Sequence, residues 1–172
     1  MTTGADVVPP AGFIAFCAAH LDQCQGTPGL PAAIAFTAQR QAELAAVQNR
    51  VNRTVRPRAE PANAWDYPVD GTGDCNRFAL AKQRALLALG WPRAALLLAT
   101  ALTEHGEGHL VLVAHTDRGD YVLDNRIDQV VDWTALPYRW LARQSGKNPA
   151  LWVAIAGRRV AAAAAGVQRT LR

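Results

Sequence analysis

Gly71-Thr72-Gly73-Asp74-Cys75-Asn76-Arg77-Phe78-Ala79-Leu80-Ala81-Lys82-Gln83-Arg84-Ala85-Leu86-Leu87-Ala88-Leu89-Gly90 reads as a glycine-rich turn running into one helix, Asp74 to Leu89. Thr72 or Asp74 can cap its start, and Gly90 with Pro92 just beyond ends it. The second half, Ala85-Leu86-Leu87-Ala88-Leu89, is apolar all round, which predicts a helix buried in the middle of the fold. Cys75 falls in the first turn of that helix. Unpaired backbone N–H groups and the helix dipole favour negative charge there, so a thiolate is stabilised and the same groups can donate to an oxyanion. A buried structural cysteine is the plain alternative; the flanking glycines and the helix start argue against it.

Downstream come three strand-like runs, Ala94 to Thr103, His109 to His115 and Tyr121 to Asp124, the last two joined by the turn Asp117-Arg118-Gly119. A further strand, Leu151 to Ala156, precedes an alanine-rich helix near Val160 to Leu171. One helix followed by an antiparallel meander predicts an α+β fold with the nucleophile-bearing helix packed on an antiparallel sheet. His109 opens one arm of the hairpin and Asp124 closes the other, so the two are expected as near cross-strand neighbours within hydrogen-bond reach. The carboxylate would fix the imidazole tautomer and leave the other ring nitrogen for Cys75. His20, His105 and His115 show no such partner in the pattern.

Upstream, Arg56 to Gly73 is rich in proline, glycine and aspartate and reads as an extended connection carrying Trp65 and Tyr67. Ala32 to Val55 contains neither proline nor glycine, and Ile34, Leu44, Val47 and Val51 recur at mostly helical spacing, which predicts a long amphipathic helix. The first thirty residues read as a loop-rich arm around one short helical turn at Phe13 to His20. Cys17 and Cys24 are close enough in sequence to staple that arm in an oxidising compartment; two free thiols in a cytosolic protein is the alternative.

The 172 residues suffice for one sizeable core, and the chain is read as a single domain, 1–172, with the arm at 1–30 and the C-terminal helix at 160–172. Half of the residues are hydrophobic and 19% are charged, the balance of a globular protein and not of a disordered or fibrous one. The formal charge of +4 is spread along the chain, and the run Arg50 to Arg58 has no interleaved aromatic residues, so a solvated face is expected and nucleic-acid binding is not. No apolar stretch approaches the ~20 residues of a membrane span. Met1 to Pro10 lacks both the basic start and the apolar core of a signal peptide.

Several segments together resemble a known family. They are Gly-Phe-Ile-Ala-Phe-Cys (12–17) with Asp-Gln-Cys (22–24), Asn-Arg-Val-Asn-Arg (49–53), Trp65 and Tyr67 with Pro68, Gly-Asp-Cys (73–75), Gly-His-Leu-Val-Leu (108–112) and Tyr-Val-Leu-Asp-Asn (121–125). The chain resembles the bacterial transglutaminase-like cysteine proteinases, which include the LapG-type periplasmic proteases that release biofilm adhesins. The resemblance implies a papain-like fold, a Cys-His-Asp triad at Cys75, His109 and Asp124, export to the periplasm and proteolysis of a protein substrate. Active members of the family usually read Gly-Asp-Cys-Glu-Asp where this chain has Gly73-Asp74-Cys75-Asn76-Arg77. In the LapG-type enzymes the acidic residues flanking the cysteine bind calcium. Exchanging two carboxylates for an amide and a cation removes charge that a hard cation needs, which argues against calcium dependence.

The sequence therefore predicts a cysteine endopeptidase with Cys75 as nucleophile, His109 as base and Asp124 as its orienting carboxylate, no required cofactor, and a protein substrate of the secreted-adhesin type. The periplasm is the expected compartment, with the cytoplasm as alternative. Two other readings stay open: an acyltransferase or transglutaminase using the same acyl-enzyme, and a non-cleaving binding module with a vestigial triad.

Overall fold

The computed structural model describes residues 1–25, 33–61 and 64–156. Its pivot is α4 (Cys75–Ala88), which forms because both ends are fixed. Asp74 accepts hydrogen bonds from the N–H groups of Asn76 and Arg77 at one end. At the other, Gly90 adopts a φ of 81° while Trp91 donates to Leu86 O and Gly90 to Leu87 O, the paired bonds of a Schellman stop. Trp91 then folds into the core.

Before α4 the chain forms β1 (Thr3–Val7), α1 (Ala11–Ala19), α2 (Leu21–Cys24), α3 (Ala38–Thr54) and two short strands, β2 (Arg56–Pro57) and β3 (Thr72–Gly73), that pair in parallel. After it come β4 (Leu96–Leu102), β5 (Gly108–Thr116), β6 (Gly119–Leu123), β7 (Val131–Asp132), β8 (Arg139–Gln144) and β9 (Trp152–Ile155). Seven strands make one antiparallel sheet in the order β1-β9-β8-β4-β5-β6-β7. The architecture is α+β, with helices against a large antiparallel sheet, as the sequence predicts.

The apolar runs of β4 and β5 bury both faces of the sheet. Leu96, Leu98, Leu110 and Leu112 join Leu44, Val47 and Val51 of α3 and Phe78, Leu80 and Leu86 of α4 in the larger core. Leu97, Ala99, Val111 and Val113 form a second cluster with Trp140, flanked by Trp133, Leu136 and Tyr138. Central strands buried on both sides read as continuous hydrophobic runs, which is why no alternation marks them.

Three expectations shift, and a fourth falls outside the described residues. The helix expected from Ala32 begins at Ala38, capped by Thr37, because Ile34 bridges to Thr116 in extended backbone. The arm contributes a true strand, β1, whose partner is β9. Between Asp124 and Leu151 the chain makes β7 and β8, and β8 inserts between β4 and β9, so the meander β4 to β7 supplies four of the seven strands. The C-terminal helix expected at 160–172 lies outside the described residues.

Candidate active site

Cys75 is the first residue of α4, half-buried, and the free thiol of the chain. Its approach is held tightly. Gly73 is buried, and a Cβ there would come within 2.5 Å of the Arg77 side chain, so only glycine lets that side chain fold back over the turn. Arg77 then donates to Tyr67 O at 2.9 Å and pairs with Glu60 at 3.5 Å, tying the 60–67 connection to the start of the helix. Tyr67 is fixed in turn by the Phe16 ring and by the Arg84 guanidinium, 3.9 Å above its own ring. Because Asp74 occupies the N–H groups of Asn76 and Arg77, the N–H left for an oxyanion in this first turn is that of Cys75 itself. The Asn76 amide oxygen lies 3.9 Å from the Cys75 sulfur.

His109 and Asp124 meet, but diagonally. The register pairs Leu112 with Leu123 and Val113 with Val122, so the position opposite Asp124 is Val111. Pairing ends at Leu123, and the chain turning off β6 brings the carboxylate back to the ring. His109 Nε2 donates to Asp124 Oδ1 at 2.8 Å with both side chains nearly sealed from solvent, 5% and 0% exposed. The other ring nitrogen is left for Cys75. Burial opposes charge on His109, yet hydrogen bonds with Asp124 and Cys75 outweigh it and raise the imidazolium to about 9. Burial likewise opposes ionisation of Asp124, and the hydrogen bonds from His109, Tyr138 and the Arg126 N–H overcome it, holding the carboxyl below its ordinary value.

A carboxylate partner alone does not single out His109. His115 bonds Asp120 at 2.6 Å, His20 bonds Asp66 at 3.1 Å and His105 lies 3.7 Å from Glu104, correcting the expectation that these three lack a carboxylate partner. His115 is six residues further along β5, about 20 Å away. What distinguishes His109 is that its pair is the more deeply sealed, 5% and 0% exposed against 30% and 2% for His115 and Asp120, and that Cys75 contributes to the rise in its pKa.

Of the other residues at the site, only Asn52 falls in a segment that the sequence singles out, the motif at 49–53. Tyr138 donates to Asp124 Oδ2 at 2.6 Å and packs its ring 5.6 Å from the imidazole. Arg126 donates to the Tyr138 hydroxyl and makes two bonds to Glu104, closing a polar chain over the pair. From α3, Gln48 and Asn52 both donate to the carbonyls of Asp124 and Ile127, so the loop carrying the carboxylate hangs on that helix. Only the arrival of β8 beside β4 and the packing of α3 under this loop make these residues neighbours.

Comparison with known proteins adds the following. A family model described as bacterial transglutaminase-like cysteine proteinase, BTLCP, matches residues 3–160. Among solved structures, the chain is similar to Legionella pneumophila LapG in its calcium-bound form, with a TM-score of 0.58, 23% identity, and 70% of this chain and 72% of that one covered. The EGTA-treated form gives a TM-score of 0.56 at 24% identity over 67% of each chain. A third LapG structure gives 0.55 at 26% identity, covering 65% of this chain and 66% of that one. A search of curated protein sequences gave no match.

Proposed function

The chain belongs to the bacterial transglutaminase-like cysteine proteinase family, and from that premise we propose that it hydrolyses peptide bonds of an exported protein through Cys75, His109 and Asp124. The observation that carries the reading is the sealed 2.8 Å bond between His109 and Asp124, in a chain whose free thiol, Cys75, opens the buried helix α4. A ring held protonated to about 9 supports a thiolate–imidazolium pair at neutral pH. The thiolate attacks the scissile carbonyl, the Cys75 N–H receives the oxyanion, and the C–N bond breaks as His109 protonates the leaving amine. Water, losing a proton to the now neutral imidazole, cleaves the thioester and restores the ion pair.

The disulfide between Cys17 and Cys24, with Cα atoms 5.6 Å apart, supports an oxidising compartment, and we extend the proposal to the periplasm. The resemblance to LapG-type proteases extends it further, to a large cell-surface adhesin as substrate and a role in biofilms. One similar structure is described as calcium-bound. The residues beside Cys75 in this chain do not fit such an ion. Asp74 commits Oδ1 to the Asn76 and Arg77 N–H groups and Oδ2 to the Asn76 side chain, and Arg77 brings its own cation. We therefore propose a calcium-independent enzyme. Calorimetric titration of chelator-treated protein is expected to give no binding at micromolar calcium, and tight binding would overturn that point.

The test of the hydrolase is digestion of a peptide library in ¹⁸O-water, with and without a primary amine. New C-termini carrying ¹⁸O, absent with Cys75→Ala, are expected. Amine-coupled products would favour acyl transfer instead, and capture of peptides without cleavage would favour a binding module.

A further inference from the structure

The helix that presents Cys75 also buries a lysine. Lys82 is 0% exposed, and its Nζ has no hydrogen-bond partner among the described residues. Its ammonium position is 5.9 Å from the centroid of the Phe78 ring. Lys82 follows Cys75 by seven residues on α4, so it lies on the same face, two turns or about 10 Å further along. The charged group whose field reaches it is Asp124. Beyond Asp124 is His109, bonded to the same carboxylate, while α3 contributes only the neutral amides of Gln48 and Asn52 to that loop. Toward the helix start lie Cys75 on the same face and, off it, Asp74, which caps the helix, and Arg77, which is held by Tyr67 O and Glu60.

Packing does not call for an amine here. A methionine of similar length would fill the space, and an unpaired buried ammonium is costly. Composition sharpens the point, because of the 18 lysines and arginines only Lys82 and Lys147 are lysines. A chain that uses arginine nearly everywhere places in its core a basic side chain that can give up its proton.

We propose that Lys82 is a positioning residue of this site, a buried amine that divides the charge of Asp124 between itself and His109 according to its protonation. The inference rests on the reading of Cys75, His109 and Asp124 given above. Burial lowers the Lys82 amine to about 7 against the opposing pull of Asp124. Below that pH the ammonium shares the carboxylate, and the His109 imidazolium is less well supported. Above it the amine is neutral and Asp124 acts on His109 alone.

Two measurements test this, and neither needs a substrate. Protein grown with ε-¹³C-lysine gives two lysine signals, Lys82 and Lys147, which Lys147→Arg assigns. The Lys82 midpoint is expected near neutrality in the unaltered core and lower still in Asp124→Asn, since the carboxylate favours the charged form. A midpoint near the usual lysine value of about 10.4, or one indifferent to Asp124→Asn, would overturn the proposal whatever the protein cleaves. The second measurement is the rate of Cys75 alkylation by iodoacetamide against pH. Besides the ionisation of the thiol, the wild type is expected to gain about fivefold as Lys82 loses its proton, the lower end of usual couplings between sites. Lys82→Met should follow the upper branch throughout, and Lys82→Arg, which keeps its charge, the lower. Superimposable profiles for wild type and Lys82→Met would sink the proposal. Should Lys82→Met fail to fold, the lysine titration decides alone. Expected results in both measurements together with no peptide cleavage would count against the hydrolase reading only.

Discussion

Five hydrogen-bonding groups act on Asp124: His109, the Tyr138 hydroxyl and the Arg126 N–H on its carboxylate, and the Gln48 and Asn52 amides of α3 on its carbonyl. On the proposed mechanism, His109→Ala is expected to lower turnover by roughly 10⁴-fold and Asp124→Asn by roughly 10³-fold, the base mattering more than its support. Wild-type turnover in either folded variant would break the assignment. Tyr138→Phe removes one bond that keeps the Asp124 carboxyl ionised, so its proton affinity rises. The acid limb of the pH–rate profile should therefore move to higher pH, with a loss of about tenfold at neutrality; an unmoved limb would show the hydroxyl to be ornamental to the carboxylate. Cys75, His109 and Asp124 could each be named from local signals, a glycine turn before a helix and the two ends of one hairpin. Tyr138 could not, because it precedes a strand whose place in the sheet no spacing rule supplies. Lys82 was in plain view, but inside a helix an isolated lysine looks like a solvated one until burial is known.

At the level of elements, α4 depends on its two stops, and the N-terminal one doubles as the floor of the site. Asp74→Ala should cost about 1 kcal/mol in denaturant unfolding, while Asp74→Asn, which still accepts from the Asn76 and Arg77 N–H groups, should cost much less. Equal losses from the two would mean that the carboxylate acts through its charge and not as a cap. The helix, its two stops, the β5–β6 hairpin and β4 were legible because glycine, proline and long apolar runs mark them locally. The edge strand β1 was not, since all five of its residues are exposed and its pairing with β9 spans nearly the whole chain. β8 was hidden for a related reason: Arg139-Trp140-Leu141-Ala142-Arg143-Gln144 alternates poorly, because Arg143 and Gln144 are both buried polar residues bonded within the sheet region. Spacing alone places the start of α3 too early, because it runs through Ile34 into residues that the C-terminal end of β5 draws into extended backbone.

For the whole molecule, the two perturbed groups on either side of Asp124 impose opposite dependences of stability on pH. The folded-state pKa of His109 is raised from 6.5 to about 9, so its contribution is fully present below 6.5 and is lost as pH rises through 9. Lys82 is depressed from 10.5 to about 7, so between those values the unfolded chain holds a proton that the folded one refuses, and stability increases as pH rises. Over pH 7 to 9 the two slopes, each up to roughly 1.4 kcal/mol per pH unit, oppose one another. The wild type is expected to show a nearly flat unfolding free energy across that interval. Lys82→Met removes the rising term and should be more stable than wild type at pH 7, then lose that advantage steadily toward pH 9. His109→Phe removes the falling term, so its stability should climb over the same interval. Denaturant titrations at half-unit pH steps on the three proteins read all of this without any substrate. A Lys82→Met curve parallel to that of the wild type would mean that the buried amine stays charged through neutrality, and a falling wild-type curve would mean that His109 alone sets the pH response of the fold.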